Sequence, residues 1–463
     1  MSRRFRLTPT AFVVAAALVI ALTARRSAAQ EAAAEPTFKE DATATEYDPV
    51  KKKKERGEEM RHISGVLRDG PLQGNERRID IWYNQVIFAE WTQAKNRRDL
   101  ARWRQDFRNR ELRQITVSQD AVHTHLNDVT LKKMIALAAG DYHPVVRHNA
   151  MLLIGDLNQK EAVAGAGGVQ TAPEPLPLAL TEKGALLDSV ENAQQHPVVR
   201  VAAIVGVLRH AENSQKMPAP QKEEVRAAMI RVLKEKTPAE NMSADGQVWL
   251  RTRAADVVGA LALLGPDNES CKELAKVIDE ADASLALRCA AARALGRMKL
   301  DGVADLKIAE IAGALGNLTL EVCAAELARA EAANETPSAR ALGHRTFCIQ
   351  TALKGEDEKV AGGMMKLKAE GNDKVVLDGV AKTVSEIAGT FTDEAAQAEI
   401  KPKVEELEKL LAQHKLLRAK PAAATAEKPA AAEPTLPEKP ATDVKTDAKP
   451  EAKAAAPAAP KSP

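Results

Sequence analysis

Apolar residues recur along most of this chain at i, i+3, i+4 and i+7, the period of an amphipathic helix, and no sustained strand-type alternation breaks the pattern between about residues 120 and 390. Val146, Ala150, Leu153, Ile154 and Leu157 fall on one helical stripe, and Leu287, Ala291, Ala294, Leu295 and Met298 on another. Each such segment follows a second amphipathic one, at 128–139, 180–193, 221–236 and 269–280, which predicts helical hairpins. Segments 303–330, 339–354, 357–369 and 373–390 read as further helices. The stretch 403–418, with Val404, Leu407, Leu410, Leu411 and Leu417, reads as a closing one.

A fixed arrangement of residues recurs within this pattern. Asp141, Arg147, Ala150, Ile154, Gly155 and Leu157 set a spacing that Asp245, Arg251, Ala254, Val258, Gly259 and Leu261 reproduce, and that Asp282, Arg288, Ala291, Leu295, Gly296 and Met298 repeat. A looser copy uses Gln194, Arg200, Ala203, Val207 and Leu208, with Gly206 displaced by two places. Intervals of 53, 51 and 37 residues between the four arginines imply insertions in the first two. Self-similarity of this kind marks stacked repeats, whose open surfaces commonly bind macromolecules. The repeated residues are expected to be structural. The Asp is placed to cap the second helix, and Pro144 and Pro197 suit its first turn. The Arg is placed to reach an Asp of the same or the next unit, while Ala and Gly permit close helix approach. The alternative is a binding groove lined by Arg147, Arg200, Arg251 and Arg288.

The motif Asp-x5-Arg-x2-Ala-x3-(Ile/Val/Leu)-Gly-x-(Leu/Met) resembles the HEAT family, particularly the short HEAT-like units of phycobilisome-lyase proteins. The resemblance covers a little under half of the chain. It implies an all-α fold, an α-solenoid (superhelix) of HEAT-like hairpins over 120–418, and a surface for protein partners. A lyase-like activity follows only by analogy of fold.

The two ends differ from this body. Arg3, Arg4 and Arg6 precede an apolar run from Ala11 to Leu22, and Ser27-Ala28-Ala29 supplies small residues, so 1–29 reads as a signal peptide with the mature chain starting near Gln30. The expected location is outside a bacterial cytoplasm: periplasmic, cell-envelope or extracellular. The run is short for a bilayer, and an uncleaved N-terminal anchor, flanked by Arg25 and Arg26, is the one membrane attachment considered. Residues 30–60, with Lys51 to Lys54 and few aliphatics, read as a flexible lead-in. Residues 61–119 read as a Trp/Arg-rich helical hairpin, with Ile79, Ile81, Trp82, Val86, Phe88 and Trp91 ahead of Leu100, Trp103, Phe107 and Leu112. Inside the array, Gly165, Gly167 and Gly168 followed by Pro173, Pro175 and Pro177 predict a loop of about twenty residues. Residues 419–463 hold nine prolines and no aromatic, which predicts a disordered Ala/Pro/Lys-rich tail.

Composition narrows the function classes. Hydrophobic residues make up 45% but aromatics only 3%, so alanine and aliphatics supply the core. Lys+Arg of 66 against Asp+Glu of 64 builds in little long-range attraction to nucleic acid, which is disfavoured as a partner. Cys271, Cys289, Cys323 and Cys348 show no CxxC spacing; they read as buried thiols, with a Cys271–Cys289 bridge as the alternative in an exported protein. No HExxH, GxSxG, Walker or dinucleotide motif occurs, so no enzyme, metal or cofactor is expected. One basic cluster stands out. Arg97, Arg98, Arg102, Trp103, Arg104 and Arg108 form the candidate partner- or anion-binding set, although Asp99, Asp106 and Glu111 allow a solvated helix face. The expected function is a non-catalytic exported scaffold for protein partners. The alternative is binding of an anionic polymer (nucleic acid, acidic glycan or membrane surface) through the basic hairpin.

Overall fold

A computed structural model describes residues 37–42, 53–113, 115, 120–163, 171–356, 363–390 and 400–418. The expected signal peptide, the tail and Gly165, Gly167 and Gly168 lie outside them. Among these described residues 74% are helical and 1% lie in strands, an all-α fold.

The N-terminal region is more broken than two helices. Helix α1 (Lys53–Asp69) crosses the expected boundary at residue 60, because Ile63, Val66 and Leu67 give it an apolar stripe to bury. Helix α2 (Glu76–Ile81), a π-helical stretch (Trp82–Ile87) and α3 (Phe88–Trp91) run on without a break. A 3-10 stretch (Ala94–Asp99), α4 (Leu100–Asp106) and a second π-helical stretch (Phe107–Leu112) follow. Aromatic bulk holds these pieces together: Phe88 meets Tyr83, Trp91 and Phe107 at ring-centroid distances of 5.7, 5.7 and 5.4 Å. The described part of the lead-in is docked. The Phe38 ring meets the His143 ring edge-on at 4.8 Å, and Asp41 pairs with Lys133 at 2.8 Å.

The body is a succession of hairpins. Helix α5 (Asp120–Ala139) pairs with α6 (Pro144–Asp156), and beyond the short ladder of β1 (Asn158–Lys160) with β2 (Glu174–Pro175) and the single-turn α7 (Pro177–Thr181), α8 (Leu186–Glu191) pairs with α9 (Pro197–Glu212). Next come α10 (Ala219–Lys234) with α11 (Ala244–Leu261), α12 (Glu269–Asp279) with α13 (Leu285–Arg297), and α14 (Ile308–Ala333) with α15 (Ala339–Lys354). Helices α16 (Gly371–Gly389) and α17 (Ile400–Gln413) pack on α14 and end the described body. Within 357–369 the described residues form only a 3-10 turn at Met364–Lys366.

Helix starts correct one expectation. The caps are His143, His196, Ser243 and Ser284, whose side chains accept from the N–H of Val145, Val198, Gly246 and Leu287. Asp141 and Asp282 lie two residues before their caps, and Asp245 sits inside the first turn of α11 because Ser243 starts that helix early. Both His caps precede Pro at the first helical position, where a missing N–H costs nothing.

The second helices stack in series: α6 on α9, α9 on α11, α11 on α13 and α13 on α15. Small residues set the approach. A methyl group built at Gly155 would lie 2.6 Å from the Gly206 Cα, so the displaced glycine of the looser copy is the one that faces Gly155. At Gly259 the neighbour is Ala294 Cα at 2.8 Å, and at Gly296 it is the Thr351 carbonyl oxygen at 2.0 Å. Helix α14, with 26 residues, is long and apolar enough by composition to cross a bilayer, yet Ile311, Leu315, Leu318 and Val322 are buried among its neighbours. Cys271 is a buried thiol rather than half of a disulfide, and burial pushes it up to about 12.

Gly296→Ala is expected to cost about 2–4 kcal/mol, because backbone of the next helix must move aside. Gly343→Ala, where nothing lies within 4 Å of the added methyl, should instead be neutral or stabilise by up to about 1 kcal/mol through helix propensity. Urea denaturation of both variants checks the contrast; equal losses would contradict this packing.

Candidate partner-binding surface

The repeated arginines point inward. Arg147, Arg200, Arg251 and Arg288 each donate Nε–H to a backbone carbonyl at the C-terminal end of their own first helix, those of Ala138, Val190, Leu233 and Ile278, all at 2.9 Å. The far side of each guanidinium reaches one unit onward. Arg147 donates to Gln195 Oε1 at 2.7 Å, Arg200 to Glu235 Oε2 at 3.1 Å, Arg251 to Glu280 Oε2 at 2.8 Å, and Arg288 grips the Glu321 carboxylate. The expected Asp partners are thus Glu or Gln, supplied from where the next first helix ends or, for Glu321, from within α14. Arg200 and Arg288 are fully buried and Arg251 nearly so, which removes them as a groove lining. An arginine suits this place because it cannot lose its proton and offers donors on both edges of a planar fork.

A second line of ion pairs ties the second helices together. Asp256 holds both Arg253 and Arg293 at 2.9 Å, and Arg297 pairs with Glu356 at 2.6 Å. At the N-terminal end, Asp156 holds Arg104 at 2.5 Å and Arg108 at 3.2 Å.

That pairing disperses the predicted arginine set. Arg104 and Arg108 join α4 and its π-helical continuation to α6. Arg97 lies over the Phe38 ring at 5.8 Å, and Trp103 is half-buried against the core. Arg102 is exposed and pairs with Asp99 at 3.0 Å, and Arg98 is exposed. The six residues therefore do not form one face.

Instead, Arg104, Arg108, Arg113 and Arg209 gather about a polar seam. Arg209 donates to the Gly155 carbonyl at 2.9 Å and to the Asn158 side chain; Asn158 in turn donates to Glu161 Oε2 at 2.8 Å. Arg113 lies 3.9 Å from the same carboxylate, and His123 Nε2 lies 3.8 Å from its other oxygen. Although burial opposes ionisation of Glu161, the nearby His123 ring, the Asn158 hydrogen bond and the Arg113 charge hold the carboxyl below its usual range. Nearby, burial and the Arg209 charge push His210 down to about 3, so its ring stays neutral. Glu111, hydrogen-bonded by the Tyr83 hydroxyl, is pushed up to about 7 by burial.

The outer positions of the second helices form the remaining recurrent surface. Two places before each repeat arginine stand Val145, Val198, Trp249 and Ala286; five places after stand Leu152, Val205 and Arg293, with the buried Asp256 at the equivalent place of α11. Val145 and Val205 are 38% and 41% exposed, and Val198, Val201, Leu208 and Trp249 are partly exposed beside them. Spacings of three and four residues put Val198, Val201, Val205 and Leu208 on one face of α9. The Arg253 guanidinium lies over Trp249 at 5.4 Å, and Phe347 of α15 is 44% exposed. The recurring string His-Pro-Val-Val-Arg at 143–147 and 196–200 was the available sequence signal for both the caps and this face. Among the described residues no group of three His, Cys, Asp or Glu could hold a metal. Comparison with protein families, with curated proteins and with solved structures finds no match.

Arg288→Met leaves a carbonyl and the Glu321 carboxylate without their donor, with an expected loss of about 3–5 kcal/mol in urea denaturation. Arg102→Met should change stability by under about 0.5 kcal/mol. For Glu111, a folded pKa near 7 against 4.5 unfolded means its contribution is favourable in acid and lost as pH rises through that interval. Glu111→Gln should therefore lose less thermal stability than the wild type between pH 5 and pH 8. Matched melting curves at the two pH values decide it.

Proposed function

We propose that this chain is a non-catalytic exported scaffold, an α-solenoid of HEAT-like hairpins that holds a protein partner on the curved outer face of its second helices. The observation that carries the reading is the recurring apolar row of Val145, Val198, Val201, Val205 and Trp249, left partly open on helices that are otherwise packed in series. Partly open apolar residues on successive packed helices are the material of a contact surface, and Trp249 with its stacked Arg253 has the composition of an interface anchor. The repeat arginines support the same reading by being used up inside the stack, which leaves the outer positions to carry recognition. Export rests on Arg3, Arg4, Arg6 and the apolar run that follows them.

Val205→Asp combined with Trp249→Ala should abolish mild crosslinking to a polypeptide that wild-type protein recovers reproducibly from an envelope extract. Lys307→Glu, on a residue ion-paired to Glu310 outside this row, should leave recovery unchanged. Equal recovery by all three proteins would refute the assignment of this face. Small-angle scattering checks the architecture, with an elongated particle expected.

A further inference from the structure

The polar seam between the N-terminal region and the first hairpins carries more positive charge than its own acids neutralise. Arg104, Arg108, Arg113 and Arg209 face Asp156 and Glu161, which leaves a surplus of two charges among groups already half withdrawn from water. Arg209 feels this directly: burial lowers its affinity for a proton, Arg108 and Arg113 add to that, and Asp156 and Glu161 only partly oppose it. Arg104 Nε is buried with no hydrogen-bond partner.

Backbone geometry places these groups together. Arg104 and Arg108 are four residues apart, one helical turn. From Phe107 the chain is π-helical, with i to i+5 bonding, and the Arg113 N–H donates to the Arg108 carbonyl at 3.3 Å. The wider turn brings Arg113 over Arg108, where a continuous α-helix would have rotated it away. Arg209 arrives from α9, anchored by the Gly155 carbonyl and Asn158. Arg108 and Arg113 keep 35% and 47% of their side chains in solvent, so donors remain available beyond the internal pairs.

We propose that Arg108 and Arg113, backed by Arg104 and Arg209, form a dock for a carboxylate-rich segment of the protein partner. The inference rests on the scaffold reading above and adds the chemistry of what is held. Planar guanidinium forks match carboxylates in bidentate geometry. A surplus of two charges calls for an acidic pair rather than a single acid. The chain's near-zero overall charge makes the seam a local feature, not part of a broad basic surface.

The test uses the full chain and three probes in isothermal titration calorimetry at low salt: a hexaglutamate peptide, a hexaglutamine peptide and a single-stranded DNA hexamer. Hexaglutamate should bind and hexaglutamine should not. Its affinity should fall at least tenfold in Arg108→Gln/Arg113→Gln, and less than twofold in Arg102→Gln, whose charge is paired with Asp99 outside the seam. Melting curves confirm that the variants fold, and Arg113→Glu provides a second variant should the double change perturb folding. No hexaglutamate binding, equal loss in Arg102→Gln, or tighter binding of the DNA would each overturn the proposal. If Arg108→Gln/Arg113→Gln still crosslinks the partner that Val205→Asp/Trp249→Ala loses, the acidic dock fails while the scaffold reading stands.

Discussion

One bond is made four times over in this molecule: a guanidinium, buried in Arg200, Arg251 and Arg288 and half-buried in Arg147, closes the carbonyl end of a first helix and, with its other edge, grips a side chain of the following unit. The last carbonyls of a helix have no partner within it, and burying them unpaired is costly. Arginine satisfies one of them and carries a full charge into the core at the same time. That charge is tolerable only because the next unit returns a carboxylate, as Glu235, Glu280 and Glu321 do. Each hairpin thereby needs its successor. Helix ends that would be weak points become the joints between units.

With the joints made on the first-helix side, the second helices are free to approach one another closely. Gly155 against Gly206, and Gly296 against the Thr351 carbonyl, show backbone in contact with backbone, an approach that any side chain at these positions would block. Close stacking on two flanks and a partner helix on a third leave one strip of each second helix open. What occupies that strip is therefore set by neither joint nor stacking, and in the first three units it is Val145, Val198, Val201, Val205 and Trp249. At α13 the strip turns charged, with Arg293 held by Asp256.

The N-terminal region follows different rules. Its core is aromatic, with Tyr83, Trp91 and Phe107 all meeting Phe88, and its helices widen into π turns where these rings pack. The second π turn brings Arg113 over Arg108. Arg104 and Arg108 turn towards Asp156 and bind the region to the first hairpin, while residues 37–42 cross the same junction and fasten it through Phe38 and Asp41. Charge that reads as one basic face along a helix is thus divided between internal pairing at the junction and the open side around Arg102.

Helical class, hairpin order and most helix extents were legible in the chain itself, because a 3.6-residue apolar period is a local property and needs no neighbour to interpret it. The structural use of Arg147, Arg200, Arg251 and Arg288, and of Gly155, Gly259 and Gly296, was legible too, since a residue recurring at fixed spacing must meet the same surroundings each time. The partners were not. Glu235, Glu280 and Glu321 stand 35, 29 and 33 residues beyond their arginines, and only stacking brings them near. The caps went to His143, His196, Ser243 and Ser284 instead of the repeated Asp because a cap depends on backbone geometry at one residue. The gathering of Arg104, Arg108, Arg113 and Arg209 needed a π turn and a third helix, and neither leaves a periodic trace. Local periodicity decided what the pieces are; long-range packing decided which charges meet.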